Sequence, residues 1–191
     1  MKLRTEQDGK LYRIALSSPE TRNVIDAEGC RNLLRELREA EADANVGAIL
    51  LEADGPIFCA GCERDQELMS IGRKIGKPII AAVQGVVISG GLALAANAHV
   101  VVAAQGTSFG LTDIREGRWA EVFTNALEYA IGRRRTLELA LSGRIFSTPE
   151  AFAWGLVHHV APAFELDDRA TEVGQGIANA NPDAIRAMLK I

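Results

Sequence analysis

The stretch KPIIAAVQGVVISGGLALAANAHVVVAA, residues 77–104, decides the fold class. It begins and ends with continuous apolar runs, which are typical of strands buried on both faces of a sheet. Between the runs, the glycine-rich turn Ser89-Gly90-Gly91 precedes the apolar residues of a short helix. The stretch therefore predicts a strand, a turn, a helix and a second strand in direct succession.

The alternation of strands and helices extends in both directions from this stretch. Upstream, residues 10–18 and 46–54 are predicted strands. Residues 25–44 between them carry apolar side chains at i, i+3, i+4 and i+7, the pattern of a helix packed on a sheet. This order predicts an α/β fold.

The downstream half is predicted to be mostly helical. We expect helical structure over about residues 120–141 and a short helix after it, where Ser147 and Glu150 form an S-x-x-E capping box. Two more short helices are expected on either side of Asn181-Pro182, because the residue before a proline disfavours helix. We assign residues 1–163 to the core and residues 164–191 to a C-terminal helical segment.

Composition and charge exclude several classes of function. The chain has 191 residues and a net charge of −4, and its Lys and Arg residues are scattered, so nucleic-acid binding is not indicated. No apolar run approaches the ~20 residues of a membrane span, and the first residues lack the apolar core of a signal peptide. Three cysteines, an odd number, favour a reducing compartment, and we expect the cytoplasm.

A C-x-x-C sequence, Cys59-Ala-Gly-Cys62, raises three alternatives. It is the spacing of a thioredoxin-like redox pair, it is half of the ligand set of a zinc site, or it is two small residues in a tight loop. A zinc site needs a second pair of ligands, and the remaining candidates, which lack such paired spacing, are Cys30, His99, His158 and His159. The tight loop is favoured, and no metal site is expected.

Four motifs in a fixed order carry a family resemblance. They are IFCAGCERD (57–65), KPIIAAVQGVVISGGLALA (77–95), TSFGLTDIREG (107–117) and LALSGRIFSTPEAFAWGLVHHVAP (139–162). Together they resemble the enoyl-CoA hydratase/isomerase (crotonase) superfamily, over about residues 46–162. The resemblance implies a crotonase-like spiral of ββα units with surrounding helices, an acyl-CoA thioester as substrate, and a homotrimer or a dimer of trimers.

The same resemblance implies an oxyanion hole formed by the backbone N–H groups of Cys62 and Gly90. Such a pair holds the thioester oxygen while an enolate develops, and glycine allows the substrate to approach the backbone. Coenzyme A is part of the substrate, so no separate cofactor is expected. The residues that the resemblance implies for substrate binding are Arg22, Val24, Ala60, Glu63, Ile88, Gly91 and Trp119.

The sequence departs from the pattern of the family's hydratases at their two glutamates. Ala93 stands at the first of these positions, and Asp113, in FGLTD, stands at the second. A single acid suits the transfer of one proton between two carbons, as in an enoyl-CoA isomerase, better than the addition of water. Glu116 and Glu121 are candidate auxiliary acids, with exposed loop carboxylates as the alternative.

Three hypotheses follow from these residues. The first is an enoyl-CoA hydratase or isomerase with Asp113 as the acid/base, and the isomerase is slightly favoured. The second is a non-catalytic acyl-CoA-binding relative, which the alanine at position 93 and the short segment after residue 163 favour. The third is a redox protein that uses Cys59 and Cys62.

Overall fold

A computed structural model describes residues 1–119 and 121–190. The strands are β1 Leu3–Asp8, β2 Leu11–Leu16, β3 Ala48–Ala53, β4 Ile79–Val83, β5 Val86–Ile88, β6 Val100–Ala104, β7 Ser108–Gly110, β8 Ile145–Ser147 and β9 His159–Ala161. The α-helices are α1 Ala27–Ala42, α2 Gly90–Ala96, α3 Glu121–Ile131, α4 Arg133–Ser142, α5 Thr148–Ala153, α6 Leu166–Ala178 and α7 Pro182–Met188. Short 3₁₀ helices cover Pro19–Thr21, Leu68–Arg73, Asp113–Glu116 and Ala163–Glu165.

Two sheets organise the chain. The larger has six strands in the order β1-β2-β3-β4-β6-β9, parallel except for the antiparallel hairpin of β1 and β2. The smaller has the order β5-β7-β8, with β5 parallel to β7 and β8 antiparallel to it. The chain passes back and forth between the two sheets from β4 to β9, and the predicted α/β class is confirmed.

The main core lies between the larger sheet, helices α1 and α2, and the smaller sheet. Its largest fully buried side chains include Phe58, Phe109 and Phe146, and the rings of the last two stack with centroids 5.4 Å apart. A second apolar cluster lies on the opposite face of the larger sheet, where α6 packs. The larger sheet is therefore covered on both faces, as its continuous apolar strands predict.

Helix α6 is also held to the sheet by polar contacts. The Arg13 guanidinium lies 2.6 Å from Glu52 of β3 and forms an ion pair with Asp167 of α6. Its Nη1 donates to Thr171 at 2.9 Å. Since the side chains of Arg13 and Glu52 are mostly buried, this network fixes the position of α6 on the sheet.

The predictions for the downstream half are confirmed. The Ser147 hydroxyl accepts from the N–H of Glu150, and the Glu150 carboxylate accepts from the N–H of Ser147, so the capping box is present. The helical structure expected over residues 120–141 consists of two helices, because Gly132 adopts a positive φ of 79° and separates α3 from α4. Ala120, the first residue of that expected range, lies outside the described residues.

Among residues 1–119 and 121–190, the helices are all too short or too polar to cross a lipid bilayer.

Candidate active site

The loop that follows β3 is hydrogen-bonded to two other segments. The N–H of Ile25 donates to the carbonyl of Gly61 at 3.0 Å, and the N–H of Glu63 donates back to Ile25 at 2.8 Å. On the other side, Cys59 exchanges backbone hydrogen bonds with β5, receiving one from Ile88 at 3.2 Å. The segment around Cys62 is therefore fixed between the start of α1 and the end of β5.

Gly90, the first residue of α2, lies directly against Cys62. A methyl group added to Gly90 would be 2.4 Å from Cβ of Cys62 and 2.7 Å from its backbone nitrogen. Only glycine fits this contact, because Cβ atoms in proteins do not approach other atoms this closely. Cys62 and Gly90, singled out in the sequence, are thus neighbours in space.

The backbone N–H groups of both residues are unused within the described part of the chain. The hydrogen bonds of the Cys62 segment run through the neighbouring Gly61 and Glu63, and Gly90 stands in the first helical turn, where N–H groups have no acceptor in the helix. Two free donors side by side are the arrangement that a developing oxyanion needs.

Ser89 connects this pair to the segment that carries Asp113. Its N–H donates to Gly110 of β7 at 2.8 Å, and its hydroxyl lies 3.3 Å from that of Thr112. Ser89 has a positive φ of 51°, an uncommon conformation for a residue with a side chain. Its hydroxyl makes no capping bond to α2, and the serine instead links the turn to β7 and the segment after it.

Asp113 begins the 3₁₀ helix that follows β7, and it is 7% exposed. Its Oδ2 is buried and has no hydrogen-bond partner among the described residues. Because a buried carboxylate normally has its oxygens paired, this unpartnered oxygen marks Asp113 as a candidate for substrate or water contact. Ala93, the position that lacks a carboxylate, is fully buried in α2.

A small cavity of about 10 Å³ borders Asp113. This volume corresponds to about one water molecule. Trp119 lines the same cavity, but its side chain is 53% exposed, so it is not an ordinary core residue.

The two candidate auxiliary acids are exposed. Glu116 forms an ion pair with Arg118 on the surface. Glu121 is exposed at the start of α3. Both positions fit the alternative of solvated carboxylates, and Asp113 is the buried acid of this segment.

The residues expected to bind substrate line the same junction. Ala60 donates its N–H to the carbonyl of Arg22 at 3.1 Å, and Val24 lies across from Gly61 with a side chain 40% exposed. Gly91 packs so tightly on Cys59 that an added methyl group would be 2.4 Å from the Cys59 carbonyl oxygen. The remaining two are Glu63, exposed in the loop, and Ile88, half-buried at the end of β5.

The thiols of the C-x-x-C sequence do not pair with each other. The thiol of Cys59 donates to the carbonyl of Gly61 at 3.0 Å, and burial raises the pKa of Cys59 to about 12. Cys62 instead lies beside Cys30 of α1, with 3.6 Å between the two sulfurs. All three cysteines are free thiols.

The histidines considered as metal ligands have structural partners. Nδ1 of His99 accepts from the N–H of Ile79 at 2.8 Å, and Nδ1 of His158 accepts from Val101 at 3.0 Å. His159 lies 3.2 Å from the Arg169 guanidinium. Across the described residues, no three His, Cys, Asp or Glu side chains form a group that is able to hold a metal ion.

Two large clefts lie away from this junction. One, of about 890 Å³, is lined by α7 and the loop before β6. The other, of about 860 Å³, lies at the ends of β2, β3 and β6 beside α6. Neither contains Cys62, Gly90 or Asp113.

Known proteins resemble this chain over most of its length. A model of the enoyl-CoA hydratase/isomerase family matches residues 62–191. The mevalonyl-coenzyme A hydratase of Aspergillus fumigatus is 29% identical over 93% of this chain and 72% of its own length. A putative enoyl-CoA hydratase of Thermus thermophilus is 30% identical, over 94% of this chain and 79% of its own length.

Solved structures extend the similarity to the fold. The crystal structure of an enoyl-CoA hydratase from Mycobacterium avium superposes with a TM-score of 0.87 at 28% identity, covering 98% of this chain and 85% of that one. A putative enoyl-CoA hydratase/isomerase (crotonase) from Legionella pneumophila gives a TM-score of 0.93 at 26% identity, covering 97% of this chain and 80% of that one.

Proposed function

The chain belongs to the enoyl-CoA hydratase/isomerase family and has its crotonase fold, and on that premise we propose that it stabilises the enolate of an acyl-CoA thioester. The thioester oxygen binds between the N–H groups of Cys62 and Gly90. Asp113 is the acid/base that moves the proton. The favoured reaction is the shift of a double bond, as in an enoyl-CoA isomerase.

The observation that carries this proposal is the pair of unused N–H groups at the contact of Cys62 with Gly90. Removal of a proton next to a thioester places negative charge on its oxygen. Donors fixed in advance stabilise this charge without reorganisation, and the loss of one donor typically costs about 3–4 kcal/mol of transition-state stabilisation.

Asp113 supplies the proton transfer in this scheme. Its carboxylate takes a proton from C2 of a 3-enoyl thioester, and the resulting charge spreads onto the oxygen held by the two N–H groups. The same carboxyl returns the proton to C4, so the double bond moves to C2–C3 and no atom is gained or lost. One acid is enough for this cycle, whereas hydration in the family's pattern uses two, and position 93 is alanine.

Substrate contacts follow from the segments around the pair. In this scheme Arg22, Val24 and Ala60 contact the CoA moiety, and Trp119, which borders the cavity beside Asp113, contacts the acyl group. We further propose a homotrimer or dimer of trimers, as the family resemblance implies. The three free cysteines support a reducing compartment such as the cytoplasm.

The decisive test supplies the protein with cis-3-enoyl-CoA and trans-2-enoyl-CoA in parallel. We expect conversion of the first to a conjugated 2-enoyl thioester, followed by its ultraviolet absorbance. Asp113→Asn should reduce kcat by roughly 100-fold or more, since a positioned general acid or base contributes ~10²–10⁴-fold. Glu116→Gln, at an exposed carboxylate only three residues away, is the matched control and should keep full activity.

Two results contradict parts of the scheme. Full activity in Asp113→Asn contradicts the assignment of the acid/base. Hydration of trans-2-enoyl-CoA without a double-bond shift contradicts the isomerase assignment and makes the protein a hydratase.

The alanine at position 93 specifically favours a second candidate, a non-catalytic acyl-CoA-binding protein. This candidate predicts binding of acyl-CoA, measured by calorimetry, with no turnover of either substrate. Substitution of Asp113 should then leave CoA affinity unchanged.

A further inference from the structure

Cys30 and Cys62 form a close pair of thiols across two elements that are distant in the sequence. Cys30 is buried on α1, Cys62 is half-buried in the loop after β3, and their sulfurs lie 3.6 Å apart. The third thiol, Cys59, is fully buried and hydrogen-bonded to the Gly61 carbonyl. Cys62 is therefore the partly exposed residue of the pair, and Cys30 is the buried one.

We propose that Cys30 and Cys62 are a modification site that low-molecular-weight disulfides oxidise to an intramolecular disulfide. In the first step the Cys62 sulfur attacks one sulfur of the external disulfide, and the other sulfur leaves as a thiolate. In the second step Cys30 attacks the sulfur of Cys62, and the second external thiolate leaves. The two protein thiols lose two protons and two electrons in all, and the external disulfide takes up the electrons.

The geometry of the pair suits this exchange. A disulfide bond is about 2.05 Å long, so the two sulfurs have to approach by about 1.5 Å from their present contact. The two side chains lie on a helix and a loop, and the loop side has an exposed neighbour, Glu63, rather than a packed strand. Cys59 cannot replace Cys30 as readily, because its thiol is directed to the Gly61 carbonyl.

The electrostatics of the pair favour one ionised sulfur. The hydrogen bond with Cys62 lowers the pKa of Cys30, although burial opposes the shift. The same bond raises the pKa of Cys62, with burial adding to it. These shifts place the charge of the singly ionised pair on Cys30. The Cys30 thiolate therefore takes the proton of Cys62 as the Cys62 sulfur attacks the external disulfide, and it loses that proton again before its own attack.

Oxidation at this site also acts on the proposed catalytic pair. Cβ of Cys62 is packed against Gly90, so a pull of the Cys62 side chain toward α1 changes the spacing of the two N–H groups. This consequence rests on the proposed function, whereas the disulfide itself does not. We expect the oxidised protein to lose roughly 100-fold or more in kcat, the effect of one lost oxyanion donor.

The test exposes the folded protein to oxidised glutathione and identifies the products by mass spectrometry of the intact protein and of its peptides. The expected product is a peptide pair linked through Cys30 and Cys62, with Cys59 still a free thiol, and with reversal by dithiothreitol. Cys59→Ala is the matched control and should form the same link. Cys30→Ala should stop at a glutathione adduct on Cys62, and Cys30→Ser serves the same purpose if the alanine variant does not fold.

Three outcomes overturn the modification site: a link between Cys59 and Cys62, a stable glutathione adduct on Cys62 of the unsubstituted protein, or no reaction under conditions that oxidise the urea-unfolded chain. A Cys30–Cys62 disulfide with unchanged turnover of enoyl-CoA leaves the modification site in place and contradicts the role of the Cys62 N–H. The two proposals therefore fail separately.

Discussion

Gly90→Ala is the sharpest perturbation of the proposed site. It adds one methyl group at a position where φ is not positive, so the backbone conformation itself tolerates alanine. The methyl group would lie 2.4 Å from Cβ of Cys62 and 2.7 Å from its nitrogen. Since carbon atoms pack at about 3.5–4.0 Å, the two segments have to separate by about 1 Å or more.

The magnitude follows from this displacement. Oxyanion donors act at about 2.7–3.1 Å from the oxygen, so a shift of about 1 Å removes one donor from hydrogen-bond range and lowers kcat by roughly 100- to 1,000-fold. The clash also lowers the free energy of unfolding, by about 1–3 kcal/mol for an overpacked site. We expect most of the protein to remain folded, because this loss is smaller than the usual free energy of unfolding of a domain.

The assay compares kcat for the enoyl-CoA substrate with the free energy of unfolding in urea. Gly176→Ala is the matched control, since Gly176 lies in α6 and an added methyl group there meets nothing within 4 Å. It should keep full activity and raise the free energy of unfolding by about 0.5–1 kcal/mol. Full activity in a folded Gly90→Ala variant refutes the assignment of the pair as the oxyanion site.

Three further predictions address other residues. Cys62→Ala keeps the backbone N–H and Cβ, so we expect kcat within about tenfold of the unsubstituted protein; a 100-fold loss gives the thiol itself a role. Trp119→Ala should raise KM more than it lowers kcat, since the ring borders the cavity beside the acid without supplying a proton; an unchanged KM contradicts this. Burial lowers the pKa of His99, so the unfolded chain binds a proton there before the folded chain does as the pH falls below about 6.5. The free energy of unfolding should therefore fall by up to about 1.4 kcal/mol per pH unit until the lowered pKa is reached, and the exposed His158, whose pKa burial also lowers, should add a smaller change of the same sign. Urea titrations at pH 7.5 and 5.5 check this, and a rise at the lower pH contradicts it.

The elements with strong hydrophobic periodicity were predictable from the sequence. The expected strands at residues 10–18 and 46–54 correspond to Leu11–Leu16 and Ala48–Ala53, and the helix at 25–44 corresponds to Ala27–Ala42. The split of the last helices at Asn181-Pro182 is also confirmed. These segments each bury an apolar face or stripe, which is the signal that periodicity detects.

Other elements left no such signal. Strand Leu3–Asp8 is exposed along most of its length, so it shows no apolar alternation, and it forms because it pairs with β2. The three strands of the smaller sheet have three residues each, too few for a period to be counted. Tertiary pairing, rather than local sequence, determines these elements.

For the candidate site as well, the sequence predicted one part and missed another. The order of four motifs was enough to single out Cys62, Gly90 and Asp113; the fold brings Cys62 and Gly90 into contact, and Ser89 links them to the segment that carries Asp113. The contact of Cys30 with Cys62 was not predictable, because it joins positions 32 residues apart and Cys30 lies outside the four motifs. The C-x-x-C spacing pointed to Cys59 instead, and only the direction of the Cys59 thiol corrects that interpretation.

The packing of Gly90 on Cys62 has a consequence for how such a site changes during evolution. Both proposed donors are main-chain atoms, so most single substitutions at position 62 leave them in place, while position 90 is restricted to glycine by shape. The acid at 113 stands on another element, and the residue at 93 lies three positions further along α2, so either side chain is able to change without removing a main-chain donor. A lineage is thus able to exchange one proton-transfer chemistry for another while the part that holds the charge is inherited intact.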